Sequence, residues 1–141
     1  MLQTDSMATT EPLTVVNMTI RQILVVDDEA AIREVVALSL SRLGGWEVLT
    51  ANSGKEALQK ARVGMFDAIV LDVMMPEMDG FTFLKCLRSE PQTQHVPIVL
   101  LTAKRHLPNA HQLADLGVML TVDKPFRPVE LVQKITQTMG W

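Results

Sequence analysis

The feature that most constrains this chain is an alternation of short apolar runs with segments of helical period, repeated five times after residue 20. The runs are short and rich in Val, Ile and Leu, which predicts strands, the first of them buried and the fifth less apolar than the others. They occupy residues 23–26, 47–51, 68–71, 98–101 and 118–122. Parallel strands require crossover connections, and the intervening segments can supply them. The pattern therefore predicts an α/β fold, a doubly wound five-stranded parallel sheet with helices on both faces.

The segments between the apolar runs have the spacing of helices that bury one face. We expect helices near residues 32–43, 54–63, 81–88, 108–116 and 128–139. Ser53 and Glu56 have the spacing of a capping box, which predicts the start of the second helix. Pro108 suits the first turn of the fourth helix, because its missing N–H costs nothing there.

The first 19 residues differ in composition from the remainder of the chain. They contain six Ser or Thr and no Lys or Arg, which predicts a flexible N-terminal arm (1–19) before a single domain (20–141). They also lack the basic start and apolar stretch of a signal peptide. No apolar run reaches the roughly 18 residues that span a bilayer, so we expect no membrane association.

Charge and cysteine content limit the range of compartments and binding partners that we expect for this protein. The chain has 13 basic and 16 acidic residues, a formal net charge of -3, so we expect no direct binding to nucleic acid. Cys86 is the single cysteine of the sequence and cannot form an intramolecular disulfide. This pattern is typical of a reducing compartment, and we expect the protein in the cytoplasm.

Polar residues follow four of the five predicted strands: Asp27 and Asp28 after the first, Asp72 after the third, Thr102 after the fourth, and Lys124 near the end of the fifth. Sites in open parallel sheets lie outside the carboxyl ends of the strands, so these side chains should share one edge. Singly, each has another explanation, such as capping of the first helix by the two adjacent aspartates.

Together these residues point to metal-assisted phosphate chemistry. Three neighbouring carboxylates repel one another unless a cation lies among them, and Mg²⁺ prefers such oxygen ligands. Lys124 and the Thr102 hydroxyl can donate to phosphate oxygens. Asp72 then becomes a candidate nucleophile, because a carboxylate can form an acyl phosphate when a metal ion and a cationic side chain neutralise the transferring group.

Four sequence strings, in family order and at family spacing, resemble the receiver domain of two-component response regulators. They are VVDDE at 25–29, LDVMMPEMDG at 71–80, LTA at 101–103 and DKPF at 123–126. The resemblance covers residues 20–141 and implies a flavodoxin-like sheet of order 2-1-3-4-5.

The resemblance also implies a role for each metal-site residue. Asp72 matches the aspartate that accepts the phosphoryl group. Asp28 would ligate Mg²⁺ directly, together with Asp72 and the backbone carbonyl of Met74. Asp27 would act on the same ion through a bound water.

Two further positions match the family, and one departs from it. Thr102 matches the hydroxyl residue that turns toward the phosphoryl group, and Lys124 the lysine that pairs with the acidic pocket. Receivers usually carry an aromatic residue three positions before that lysine. Here the position is Thr121, and the chain has no Tyr. We therefore expect a weaker or differently connected response at the fourth helix and fifth strand.

The resemblance implies a phosphoaspartate switch of a two-component phosphorelay, with no enzymatic activity beyond self-phosphorylation and slow autodephosphorylation. The partners it implies are a sensor histidine kinase or histidine phosphotransfer protein upstream and an unidentified effector downstream. We expect a monomer or a phosphorylation-dependent dimer. Because the chain ends at Trp141, soon after the last predicted helix, we expect a stand-alone receiver.

Three alternatives remain open from the sequence. One is a receiver fragment of a longer transcriptional regulator. Another is a phosphohydrolase of the haloacid dehalogenase type, which needs a second aspartate where this chain has Met74. The last is a flavin or nucleotide binder, whose phosphate loop would meet the acidic residues 27–29.

Overall fold

The computed structural model describes residues 20–73, 79–103 and 107–141. Five parallel strands form one sheet of order β2-β1-β3-β4-β5. The order confirms the topology that the resemblance implied. The strands are β1 Gln22–Val26, β2 Glu47–Ala51, β3 Ala68–Asp72, β4 Ile98–Thr102 and β5 Val118–Asp123.

Helices cover both faces of the sheet, as the sequence pattern predicts. They are α1 Ala30–Arg42, α2 Gly54–Val63, α3 Gly80–Arg88, α4 Ala110–Asp115 and α5 Pro128–Met139. Side chains of α2, α3 and α4 pack with one set of strand residues, and those of α1 and α5 pack with the other set. The three central strands are buried on both faces, which explains their unbroken apolar runs.

The predicted cap of α2 is half formed. The Ser53 hydroxyl oxygen accepts a hydrogen bond from the Glu56 N–H at 3.1 Å, as a capping box requires. The Glu56 carboxylate, however, accepts from the N–H of Asn52 at 2.6 Å. The reciprocal bond therefore reaches one residue beyond the expected partner, and it ties α2 to the end of β2.

The predicted start of α4 at Pro108 is wrong by two residues. The helix begins at Ala110, and Asn109 caps it by accepting from the Gln112 N–H at 2.9 Å. The Gln112 side chain in turn accepts from the Asn109 N–H at 3.2 Å. This complete capping box satisfies two N–H groups of the first turn and leaves Pro108 outside the helix.

The register of the sheet brings the ends of β3, β4 and β5 to one edge. Asp72 lies opposite Leu101, and Thr102 lies opposite Asp123. Val26, the last residue of β1, lies opposite the residue before Asp72. Within the described ranges, no helix has the length and apolarity needed to cross a membrane.

Candidate functional site

Three carboxylates meet at the carboxyl edge of the sheet. Oxygen atoms of Asp27, Asp28 and Asp72 all lie within 4.8 Å of one another. Asp27 and Asp72 are buried, whereas Asp28 is exposed. Helix α1 starts with Glu29 as its N-cap and has no side-chain capping bond. Neither adjacent aspartate therefore caps α1, and the structure brings the three carboxylates together as their strand-end positions suggested.

Asp27 is held in an environment that disfavours its charge. Burial, assisted by the negative charge of Asp72, raises the pKa of Asp27 from 3.8 to about 6, although a hydrogen bond from the Glu29 N–H and the charge of Lys124 act the other way. That N–H donates to Asp27 Oδ1 at 2.9 Å. Asp27 Oδ2 is buried and accepts no hydrogen bond from the described part of the chain.

This set of oxygen atoms fits a divalent cation. A buried carboxylate oxygen without a hydrogen bond is costly, and a cation would satisfy it. Clustered carboxylates also match the hard oxygen ligands that Mg²⁺ prefers, since Mg²⁺ commonly binds through one or two carboxylates and retains water in its other positions. The acidic cluster is therefore chemically suited to magnesium.

Lys124 connects the acidic cluster to the end of β5. Its Nζ donates to Asp72 Oδ1 at 3.0 Å, and its side chain is about one quarter exposed (24%). Its backbone N–H donates to the carbonyl oxygen of Thr102 at 2.8 Å. The lysine thus places one positive charge against the most central of the three carboxylates in the sheet.

Thr102 and Thr121 lie in different environments. Thr102 ends β4 and is buried, one residue beyond the partner of Asp72 on the neighbouring strand. Thr121 lies on β5 opposite Leu100, and it is exposed. At this position the edge strand β5 therefore presents a small, exposed hydroxyl group and no aromatic ring.

Arg33 is a site-adjacent residue that sequence reasoning missed. Its Nη1 donates to the backbone carbonyl oxygen of Asp27 at 2.8 Å. In the sequence, Arg33 resembles an ordinary surface charge on an amphipathic helix. The position of Arg33 one turn into α1 could have indicated this contact, because a long side chain there can reach back over the preceding loop.

An apolar groove beside the acidic cluster was also missed. It has a volume of about 500 Å³ and lies between α1 and the segment after β5. Val35 is exposed on its α1 side, and Lys124 forms part of its wall. The lining residues are Ala31, Ile32, Val35, Val36, Lys124, Pro125 and Phe126.

Two predictions lie outside the described residues. One is the backbone carbonyl of Met74 as a metal ligand, and the other is the arm at residues 1–19.

Comparisons with known proteins show the family to which the chain is similar. The family model of the response regulator receiver domain matches residues 23–136. A probable transcriptional regulator, ycf27, of Pyropia yezoensis is 41% identical over 118 residues, which cover 84% of this chain and 47% of that protein. The alkaline phosphatase synthesis transcriptional regulatory protein PhoP of Bacillus subtilis is 41% identical over 115 residues, covering 82% and 47%. The chain spans about half the length of these curated relatives.

Solved structures show the same fold. The chemotaxis response regulator CheY4 of Vibrio cholerae has a TM-score of 0.76 and 37% identity, covering 85% of this chain and 99% of that one. The receiver domain of sensor histidine kinase PA1611 from Pseudomonas aeruginosa has a TM-score of 0.75 and 27% identity, covering 87% and 100%. That structure has a magnesium ion coordinated in its active site cleft.

Proposed function

The chain belongs to the receiver domain family of two-component response regulators, and we propose that Asp72 is its phospho-accepting residue. The observation that carries this proposal is the contact between Asp72 and Lys124 at 3.0 Å, made among three clustered carboxylates. Asp72 is the carboxylate that combines a lysine partner with a position at the end of a central strand. These are the surroundings that a carboxylate nucleophile requires.

The proposed reaction transfers a phosphoryl group from a phosphohistidine to Asp72. An Asp72 carboxylate oxygen attacks phosphorus as the bond between phosphorus and the donor imidazole nitrogen breaks. The imidazole keeps that electron pair and takes up a proton, so the products are an acyl phosphate and a neutral histidine. Lys124 and the Thr102 hydroxyl donate hydrogen bonds to the phosphoryl oxygens, which stabilises charge on the transferred group.

Asp27, Asp28 and Asp72 would hold a Mg²⁺ ion in this proposal, with Asp27 acting through water and the backbone carbonyl of Met74 as a further ligand. When bound, the ion neutralises charge on the transferring phosphoryl group. The orphaned Oδ2 of Asp27 and the three clustered carboxylates support this assignment. We propose no enzymatic turnover beyond self-phosphorylation and slow autodephosphorylation.

We place the phosphodonor on the apolar groove beside α1. The groove shares Lys124 with the acidic cluster, so a helix lying in it could present a histidine to Asp72. Its apolar lining suits the side chains of an amphipathic helix. The proposed occupant is the histidine-bearing helix of a sensor kinase or phosphotransfer protein.

Charge introduced into this groove should slow transfer from a protein donor. We expect Val35→Glu to reduce the rate of phosphorylation by a histidine kinase about tenfold, while phosphorylation by acetyl phosphate is unchanged. Val129→Glu is the matched control, because Val129 is exposed on α5 to 54% and Val35 to 53%. The rate of phosphoryl transfer from radiolabelled kinase is measured by quench-flow. Equal rates for the two variants would contradict the placement of the phosphodonor in the groove.

We expect Thr121 to weaken the structural response of the fifth strand to phosphorylation. The Thr121 side chain is small and exposed, so a change of its rotamer would bury or expose little surface. We expect beryllofluoride, a phosphoryl mimic, to shift amide resonances around Asp72 strongly and those of residues 118–122 weakly. Shifts of equal size at both places would refute this expectation, and Thr121→Tyr provides the comparison.

A second candidate function is the receiver half of a longer transcriptional regulator. The observation that favours it is that the curated relatives are named as regulators and are about twice as long as the matched region. In that case the downstream effector is a DNA-binding domain, and nucleic acid is contacted outside residues 20–141. A stand-alone receiver would instead act on a separate effector as a monomer or a phosphorylation-dependent dimer. We propose the cytoplasm for either form.

The proposed function is tested by the intact mass of the full chain after incubation with acetyl phosphate. One added phosphoryl group with Mg²⁺, and none with EDTA, is the expected result. Absence of an adduct and of released phosphate would contradict the switch. Free phosphate accumulating over many turnovers would contradict it in favour of a phosphohydrolase.

A further inference from the structure

We infer that Arg33 is a positioning residue for the magnesium site, acting through the backbone of the loop between β1 and α1. This inference rests on the proposed metal site and adds to that site a residue that lies outside the acidic cluster. The observation is the contact from Arg33 Nη1 to the carbonyl oxygen of Asp27 at 2.8 Å.

The contacts made by Asp27 restrain different parts of the loop. Its N–H donates to the carbonyl oxygen of Ala51 at 3.2 Å, which extends the pairing of β1 with β2. Its Oδ1 accepts from the N–H of Glu29 at 2.9 Å, which fixes the side chain. The Arg33 contact acts on the carbonyl group of Asp27. That carbonyl belongs to the peptide unit leading into Asp28, so its direction fixes the backbone from which the Asp28 side chain leaves.

Asp28 depends on this backbone because its carboxylate has little else to hold it. The residue is exposed, and within the described ranges its side chain makes no hydrogen bond or ion pair. Glu29, the N-cap of α1, makes no side-chain capping bond that would tighten the turn. Arg33 also donates its backbone N–H to the Glu29 carbonyl oxygen at 2.9 Å. This bond belongs to the first turn of α1 and fixes the place of Arg33 in the helix, from which its side chain reaches the Asp27 carbonyl oxygen.

A second charged group within electrostatic range of Arg33 is Glu56. The positive charge of Arg33 contributes to lowering the pKa of Glu56, after the larger effects of the Asn52 N–H and Lys60. The hydrogen bond of Arg33, by contrast, is directed at a single atom, the carbonyl oxygen of Asp27.

Charge and positioning predict opposite signs for the loss of Arg33. A positive charge near a cation site weakens metal binding by repulsion, so removing it would tighten binding if charge were its whole effect. Residues that orient metal ligands from outside the coordination shell do the reverse, and their loss typically weakens binding by about 10- to 100-fold. The direction of the change in Mg²⁺ affinity therefore distinguishes the two roles.

The test is calorimetric titration of Mg²⁺ into the unphosphorylated full chain at low ionic strength. We expect Arg33→Ala to bind Mg²⁺ about tenfold more weakly than the parent protein, and Arg33→Lys, which keeps a donor and the charge, to regain most of that loss. Arg42→Ala is the matched control, because it removes the same charge from an exposed residue in the last turn of α1. We expect it to bind Mg²⁺ as the parent does.

Hydrogen exchange at the Glu29 amide gives a second readout that does not involve the metal. Faster exchange in Arg33→Ala than in Arg42→Ala, measured without Mg²⁺, is expected if Arg33 holds the loop. Should Arg33→Ala fail to fold, Arg33→Lys and Arg33→Gln carry the same comparison, with Gln expected to bind more weakly than Lys.

Three outcomes overturn the inference. Tighter Mg²⁺ binding by Arg33→Ala would show that Arg33 affects the site through its charge alone. Equal binding would show that Arg33 has no effect on the site. If the Glu29 amide exchanged at the same rate in all variants, Arg33 would not hold the loop and the proposed mechanism would be wrong. If the parent protein bound no Mg²⁺, the proposed metal site itself would fail, and this result is distinct from an unchanged affinity in the Arg33 variants.

Discussion

Asp72→Asn is expected to take up no phosphoryl group under conditions that load the parent protein completely. An amide cannot form the acyl phosphate, so the covalent product has no acceptor at this position. Asparagine keeps the shape of the buried side chain, and Lys124 retains Asp27 nearby to balance its charge, as the effect of Lys124 on Asp27 indicates. The measurement is intact mass after acetyl phosphate and Mg²⁺, with circular dichroism to verify the fold.

Asp115→Asn serves as the control for Asp72→Asn. Asp115 is exposed at the end of α4, and the same substitution there removes the same charge. It should accept one phosphoryl group as the parent does. An adduct of full stoichiometry on Asp72→Asn would assign the acceptor to another residue and refute the proposed role.

The second large effect concerns stability without metal. Asp27 has a pKa of about 6 in the folded chain and an ordinary value of 3.8, so the folded state binds its proton more tightly than the unfolded state. Stability from this group is therefore fully present below about pH 4 and is lost as the pH rises through 6. The difference in pKa corresponds to a loss of about 3 kcal/mol.

Asp27→Asn should recover most of that loss. We expect the variant to exceed the parent in free energy of unfolding by about 2 to 3 kcal/mol at pH 7.5 in EDTA, and to match it near pH 4. The side-chain oxygen of the introduced asparagine would still accept the Glu29 N–H, so the loop keeps its bond. Urea denaturation at the two pH values measures the difference.

Added Mg²⁺ should reverse the ranking of parent and Asp27→Asn. The ion binds the folded parent and stabilises it by mass action, whereas the variant has lost one carboxylate of the cluster. The affinity of the parent for Mg²⁺ should also weaken as the pH falls through about 6, because Asp27 must be ionised. A variant less stable than the parent at pH 7.5 in EDTA would contradict the unfavourable burial of Asp27.

The strand pattern was sufficient to predict most of the fold. The runs at residues 47–51 and 68–71 reappear as β2 and β3, with β3 extended by Asp72. A central strand such as β3 is easily recognised in the sequence because it is buried on both faces and neither face tolerates polar residues, whereas the edge strand β2 alternates exposed and partly buried residues. The start of α4 was misplaced because Pro108 and Asn109 both carry helix-start signals, and the side-chain bonds of Asn109 with Gln112 decided between them.

The members of the acidic cluster could be proposed from the sequence because parallel strands bring their carboxyl ends to one edge. Asp27, Asp28 and Asp72 are separated along the chain but follow neighbouring strands. The sequence could not predict that Asp27 is buried with a raised pKa while Asp28 is exposed. Adjacent aspartates look alike in a sequence, and the path of the loop after β1 separates them.

The sequence by itself determined most of the secondary structure, the order of the polar residues and the chemistry their side chains can perform, because these depend on residue type and local spacing. The tertiary structure alone decided that Arg33 reaches back to the carbonyl of Asp27 and that α1 forms a groove with the segment after β5. Such contacts depend on the directions of loops and long side chains. These directions are set by packing against distant elements and leave no periodic trace in the chain.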